Sequence, residues 1–454
     1  MSPRKVAAPR EVPGLARPRR PRLPTVAERL LPNGLRVVAV RRPSVPVVHV
    51  RLRVPTAVRR DADLAKAAVL ERTMLLGTEA RSQGDLAEAL QRLGGSLRVS
   101  GDADRLVVAG ESLRAGLGEL LSLMAEVLCS AAYPRRQVEG ETARLADQMR
   151  RAMSQPGVLA DEAWLRQAFG THPYGREHPA AGEILAVSPS SLRAAHRRRV
   201  VPDGSLLVLV GDLTPARALD QVAAVMAGWD SVGGPTTVPA VPAAVPGAPG
   251  PLLLVDRPGA VQSNLRVGGP ALSRAHPAYA ACEVANALFG GYFSSRLVMN
   301  IREDKGYTYS PRSALRHASR ASVLLTSADV ATEVTVPALV EVGYELGRMV
   351  ALPPTAEEVA ATAQYLAGIL ALSTATQAGL AGTLTMLLAE GLDVSWLREH
   401  PAALLAVTPD DVHEVSQTLL APSTRLVTVV GDASVVAQPL AALYEVARQQ
   451  AAGG

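Results

Sequence analysis

The sequence predicts an α+β fold in two domains of like architecture, and three observations carry the two-domain expectation. Two apolar runs end alike, residues 206–212 as LLVLVGD and residues 426–432 as LVTVVGD. The β-rich stretches ending at Pro43 and Pro258 lie 215 residues apart, and the two Gly-Asp ends lie 220 apart. Between them residues 233–251 are proline-rich with neither helical nor strand period, the composition of a spacer. Matching offsets argue for duplication, and two copies are too few for a solenoid. The expected division is a basic tail at 1–24, an N-terminal domain at 25–232, the spacer at 233–251 and a C-terminal domain at 252–450.

After the tail, residues 35–40 and 47–54 are β-rich runs around an Arg-Pro turn, expected as a hairpin or meander. Residues 62–76 and 84–93 read as helices, and 96–100 and 105–110 return to strand pattern. A long amphipathic helix follows at 113–128, then a charged one at 136–153. That helix leads through Thr171-His172-Pro173-Tyr174-Gly175 to a helix at 188–199, the buried strand at 205–212 and a last helix at 215–229. In the second half, residues 252–258 echo residues 37–43. Residues 359–389 carry no charge, yet their Thr, Ser, Gln and Gly make them too polar for a membrane helix; a buried helix pair is expected.

With 454 residues, 48% of them apolar, the chain has ample material for two cores. Its net charge of +5 belongs to the tail, where seven Arg and Lys face Glu11 alone, so the rest of the chain is close to neutral. Nucleic acid and membrane are therefore not expected partners, and the Pro- and Arg-rich tail reads as disordered. Cys129 and Cys282 lie far apart in apolar stretches and read as small core residues rather than a disulfide. No apolar segment of signal-peptide length opens the sequence, and the expected location is cytoplasmic.

The most informative stretch is residues 289–310, FGGYFSSRLVMNIREDKGYTYS. Ser294 and Ser295 can cap a short helix, Leu297 and Ile301 share its apolar face, and Gly306 can supply the left-handed stop. Arg302 then sits in the last turn. Tyr307, Thr308 and Tyr309 are expected to begin a strand with both tyrosines on one face. Taken by themselves, Arg302 would pair with Glu303 or another acid and Tyr309 would pack in a sheet. The whole block resembles the two-domain pitrilysin-type (inverted zincin) peptidases, which include insulysin and the mitochondrial processing peptidase. There G-G-x-x-x-S-R-L precedes R-E-x-x-G-x-x-Y, and the final arginine and tyrosine hold the substrate backbone over zinc. The resemblance covers residues 30–447, including both V-G-D strands and the H-P-Y-G turn, and implies these roles for Arg302 and Tyr309.

The family's zinc motif is H-x-x-E-H on a helix, with G-T nine residues after the first histidine. Gly77-Thr78 sets the register here, and the motif falls on Ala68-Val69-Leu70-Glu71-Arg72. Both histidines are lost. Glu71 stands where the general base would be and Glu141 near the third ligand position, though either could simply pair with an arginine. A catalytic zinc takes about three protein ligands, so no zinc is expected in this chain. None of its eight histidines lies four from another to replace the pair. His172 reads as a turn residue.

In one branch of the family, two chains, one with H-x-x-E-H and one with the arginine and tyrosine, assemble into a single peptidase. The resemblance therefore implies a subunit inactive alone, with zinc and the Glu base supplied by a partner of the same family and a short or unfolded peptide as substrate. The long glycine-rich loop of the mitochondrial non-catalytic subunit is missing, since only Tyr292, Phe293 and Ser294 separate Gly291 from Ser295. A zinc-free structural or peptide-holding scaffold of the same fold is the alternative.

Overall fold

The computed structural model describes residues 25–231 and 240–450; the tail at 1–24 and the start of the spacer lie outside them. The first half runs β1 (Thr25–Leu30), β2 (Arg36–Arg41), β3 (Val47–Pro55), α1 (Asp61–Thr73), α2 (Gln83–Arg92), β4 (Ser96–Gly101) and β5 (Arg105–Leu113). It continues with α3 (Leu117–Ser130), α4 (Arg135–Met153), α5 (Pro156–Phe169), α6 (Ala181–Leu185), α7 (Pro189–Arg199), β6 (Leu206–Gly211) and α8 (Pro215–Val225). The second half holds β7 (Leu252–Asp256), β8 (Gln262–Pro270), α9 (Tyr279–Asn286), α10 (Arg296–Val298), β9 (Arg312–His317), β10 (Ser322–Ala331) and α11 (Thr335–Ala351). It ends with α12 (Ala356–Ser373), α13 (Gln377–Ala389), α14 (Trp396–Ala406), α15 (Pro409–Leu419), β11 (Leu426–Gly431), α16 (Ala433–Ala441) and β12 (Val446–Gln450).

Each half builds one six-stranded sheet, ordered β1-β2-β6-β3-β5-β4 and β12-β7-β11-β8-β10-β9. Five strands correspond position by position, with β2–β6 and β7–β11 parallel and the other pairs antiparallel. The duplicated α+β architecture is as the sequence predicts. The sixth strand differs: β1 joins β2 antiparallel from the front of the chain, whereas β12 joins β7 parallel from its end. The hairpin expected for residues 35–54 does not form. β6 inserts between β2 and β3, because LLVLVG is buried along its whole length and needs a strand on both edges and cover on both faces.

That cover comes from the opposite half. In the first sheet Val37, Ala39, Leu207 and Leu209 face their own helices, while Val38, Val40, Leu206, Val208 and Val210 pack against Leu380, Leu384, Leu387 and Leu388 of α13. In the second sheet Leu254, Leu265 and Val429 face their own helices, and the other face meets α5: Ala160 on Val255 and Val430, Trp164 on Val323, Leu325 and Leu426. Each half thus lends one helix to the other's sheet. Polar contacts fix both exchanges: Gln377 donates to the carbonyls of Arg42 (2.5 Å) and Val45 (3.0 Å), Thr428 donates to Gln167 (2.7 Å), and Arg266 donates to Asp161 (2.5 Å).

The charge-free segment is therefore half as expected. α13 is buried, but α12 buries only Val359, Thr362 and Ala363 and leaves Tyr365, Ile369 and Leu372 exposed. The two helices meet at 110°, and among the described residues no single helix is long and apolar enough to cross a membrane. Cys282 is buried as expected, whereas Cys129, in the last turn of α3, is exposed.

Candidate active-site surface

The arginine-bearing segment is anchored from below. Leu297 and Ile301 are fully buried, and Asn300 donates to Glu341 (2.9 Å) and Glu345 (2.8 Å) on α11. Arg296 makes a two-pronged pair with Glu358 of α12, both bonds 3.0 Å. Ser295 stands at the N-cap position, though its hydroxyl does not bond the helix. After α10 the chain widens into a π-helical turn at Met299–Asp304, and Gly306 stops it with φ +65°. The turn puts Arg302 on the outer surface. At Gly290 a side chain would not fit, since a Cβ would lie 2.9 Å from Ser313 Cβ on β9.

The strand expected at residues 307–309 is absent; β9 begins at Arg312, and the two tyrosines part. Thr308 donates its hydroxyl to the Asp329 carbonyl (2.7 Å), which turns Tyr307 toward the core and Tyr309 outward, 82% exposed. Tyr309 nevertheless meets Arg302. The guanidinium carbon lies 4.9 Å from the Tyr309 ring centre and 4.6 Å from that of Phe293, and Nε sits 3.3 Å from Glu303. No described residue bonds the two Nη groups or the Tyr309 hydroxyl. The arrangement thus offers up to four guanidinium N–H donors and a phenol O–H to an external acceptor.

The degenerate motif lies elsewhere, in a cleft of about 450 Å³ between the halves. Ala68, Glu71 and Arg72 of α1 line it with Gln148 and Met149 of α4, Phe169 of α5 and the β9–β10 hairpin. Neither Arg302 nor Tyr309 reaches it. Glu71 accepts from the Gly101 amide (3.1 Å), and burial raises its carboxyl above the usual range. Arg72 donates to Gln148 (2.5 Å), so across this gap α4 presents Gln148 to Arg72. Glu141, two turns earlier on α4, pairs with Arg144. A zinc ion does not fit these residues: Ala68 has no donor, Arg72 brings a fixed positive charge, and one carboxylate is left. Among the described residues no group of three His, Cys, Asp or Glu converges as a metal site.

The cleft's rim joins the halves. Tyr174 donates to Asp104 (2.7 Å), whose other oxygen accepts from the Ser319 amide (2.9 Å). His172 caps the turn, its Nδ1 accepting from the Tyr174 amide (3.1 Å), and its Nε2 contacts the Pro242 carbonyl at 3.1 Å. Sequence reasoning missed Phe293, Gln148 and the hairpin at residues 317–322. Of these, Phe293 had a signal, an aromatic inside a glycine- and serine-rich turn.

Two family profiles match the chain. One, described as Insulinase (Peptidase family M16), covers residues 36–180, and the other, Peptidase M16 inactive domain, covers residues 186–366. A protein of Mycobacterium leprae named as an uncharacterised zinc protease is 28% identical over 297 residues, 64% of this chain and 66% of that protein. One of Mycobacterium tuberculosis with the same description is 30% identical over 294 residues, 63% of this chain and 66% of that protein. The matched segment spans slightly less than two thirds of either relative. Among solved structures, a peptidase M16 inactive domain from Pseudomonas fluorescens superposes with a TM-score of 0.81 at 22% identity, covering 90% of this chain and 98% of that one. A protease from Helicobacter pylori gives 0.82 at 18% identity, covering 90% and 100%. Both share the fold.

Proposed function

Because the chain belongs to the M16 peptidase family, we propose that it is the zinc-free subunit of a two-chain peptidase and lends Arg302 and Tyr309 to a site centred on its partner. One observation carries the reading: both side chains stand together on an open surface with their donors unspent, while the motif residues of the same chain cannot hold a metal. A partner of the same family with an intact H-x-x-E-H helix would bring zinc and the general base. This chain's share is binding and charge stabilisation. The Nη groups of Arg302 and the hydroxyl of Tyr309 donate to substrate carbonyls, including the oxygen that turns negative as the tetrahedral adduct forms. The guanidinium acts here as a hydrogen-bond donor, so its contribution needs no proton transfer. An extended short peptide suits such a surface, since main-chain carbonyls are the acceptors on offer.

The experiment is affinity purification of the full chain from its native cells with mass spectrometry and zinc analysis, followed by peptide cleavage by the recovered complex. A similar-sized chain bearing H-x-x-E-H, with zinc in the complex, is the expected result. Arg302→Ala should then lower kcat/KM by about 10²–10³, the usual worth of one oxyanion donor. Tyr309→Phe, which deletes only the hydroxyl, should lower it by about tenfold or more. Recovery of a metal-free monomer or self-dimer, or cleavage unchanged by both substitutions, would overturn the reading in favour of a scaffold.

A further inference from the structure

Phe293 has no place in the reading so far, yet its position is odd for a phenylalanine. It is 59% exposed at the tip of a turn, while its neighbour Tyr292 is tied down, stacked on Tyr365 of α12 at 4.9 Å with its hydroxyl 3.3 Å from Thr362. Ser295 N–H donates to the Tyr292 carbonyl (3.1 Å), closing the turn. The backbone at Phe293 is therefore fixed from both sides, and an exposed ring is held where it is. What lies under that ring is the Arg302 guanidinium, at 4.6 Å, with the Tyr309 ring also in contact at 4.9 Å.

Resting on the proposed role of Arg302, we infer that Phe293 is a positioning residue that clamps the guanidinium and aims its free Nη edge at the substrate. A guanidinium is planar and all its N–H bonds lie in that plane, so ring faces hold it without consuming a donor. Glu303 takes the Nε side. With Nε engaged and the plane gripped, the Nη edge is left as the outward one. Without Phe293, a partly exposed side chain with several rotatable bonds would swing on the Glu303 contact, and each substrate encounter would have to order it again. The clamp fixes that geometry before binding, which is what preorganised charge stabilisation requires.

The test has two readouts, one of which needs no partner. In the isolated full-length chain, labelling of Arg302 by phenylglyoxal, followed by peptide mass spectrometry, reports how well the guanidinium is held. Phe293→Ala and Phe293→Leu should speed labelling by about threefold, and Phe293→Tyr, which keeps the ring face, should match the parent. In the cleaving complex the Ala and Leu variants should lose about three- to tenfold in kcat with KM within about twofold, and the Tyr variant should retain activity. Because Phe293 is largely exposed, none of these changes empties a core. Unchanged labelling in Phe293→Ala, or Phe293→Leu behaving as Phe293→Tyr in both assays, overturns the inference. If Arg302→Ala itself leaves cleavage unchanged, the proposed function fails, and the labelling rates still decide whether the clamp exists.

Discussion

Leu384→Ala tests whether the reciprocal helix exchange makes one folding unit of two sheets. Leu384 is fully buried, on a helix of the second half, against Val38, Val208 and their neighbours on the first sheet. Removing three carbons forfeits about 2.4 kcal/mol of transfer free energy, and the cavity left on a rigid sheet raises this to about 3–4 kcal/mol. How that cost appears on heating depends on what melts with it. If both halves unfold together, some 425 residues supply an unfolding entropy of about 0.9 kcal/mol/K, and Tm falls by about 4 °C in a single transition. If each half melts alone, about 210 residues supply half that entropy, and one of two transitions drops by about 8 °C while the other stays. Calorimetry, with tryptophan fluorescence alongside, separates the cases, since Trp164 sits on the second sheet and Trp229 in the first core. Two resolved transitions with only one displaced would refute the shared-unit argument.

Other outcomes follow from the same geometry. Ala68→His, Arg72→His and Gln148→Glu together should confer about one zinc per chain by elemental analysis, because Gln148 already faces Arg72; the two histidines without Gln148→Glu should hold far less, and a folded, metal-free triple variant would show the helices to be misregistered. Stability should fall with acid. His196, buried between Tyr133 (2.6 Å) and the Leu128 carbonyl (2.7 Å), and His317, pushed down to about 4 by burial, stay neutral when folded, whereas the unfolded chain protonates them below about 6.5. At these two sites the unfolded state then binds more protons, so they make the urea midpoint decline as pH falls from about 6.5 toward 4. His178 acts in the opposite sense: Glu162 raises its pKa, so its contribution is present in acid and lost as pH climbs past the folded value. A midpoint level across that range, or a decline unaltered by His317→Asn, would refute the assignment.

Much of this architecture was legible in the chain, and its failures share a cause. LLVLVGD and LVTVVGD marked one buried strand in each half, because a run this apolar admits few placements. What no local pattern could say was which strands would flank them, so β6 between β2 and β3 came only with the sheet. α5 went unnoticed although Pro156 opens it and Trp164 lies on its buried face, because its apolar side serves a sheet of the other half, distant in sequence. The uncharged run at 359–389 was seen, but only α13 had a sheet waiting; α12 carries similar composition with one face in solvent. At the site, the spacing of Arg302 and Tyr309 could be read as a pair. The strand expected to carry Tyr309 could not be, since a single bond from Thr308 to the Asp329 carbonyl redirects the chain there.

The borrowed helix also sets a timetable for synthesis. The first sheet is complete in sequence once Gly211 has been made, yet the apolar patch on its outer face, Val38 and Val40 of β2 with Leu206, Val208 and Val210 of β6, waits for α13, which ends at Ala389. At about 5–20 residues per second, the roughly 180 residues in between take about 9–36 s to translate. For that interval a nascent first half presents an uncovered apolar patch on β2 and β6, with β4 as an unpaired edge, to the surroundings of the ribosome. The chain depends on something to shield that face, or on dilution, until its own second half arrives.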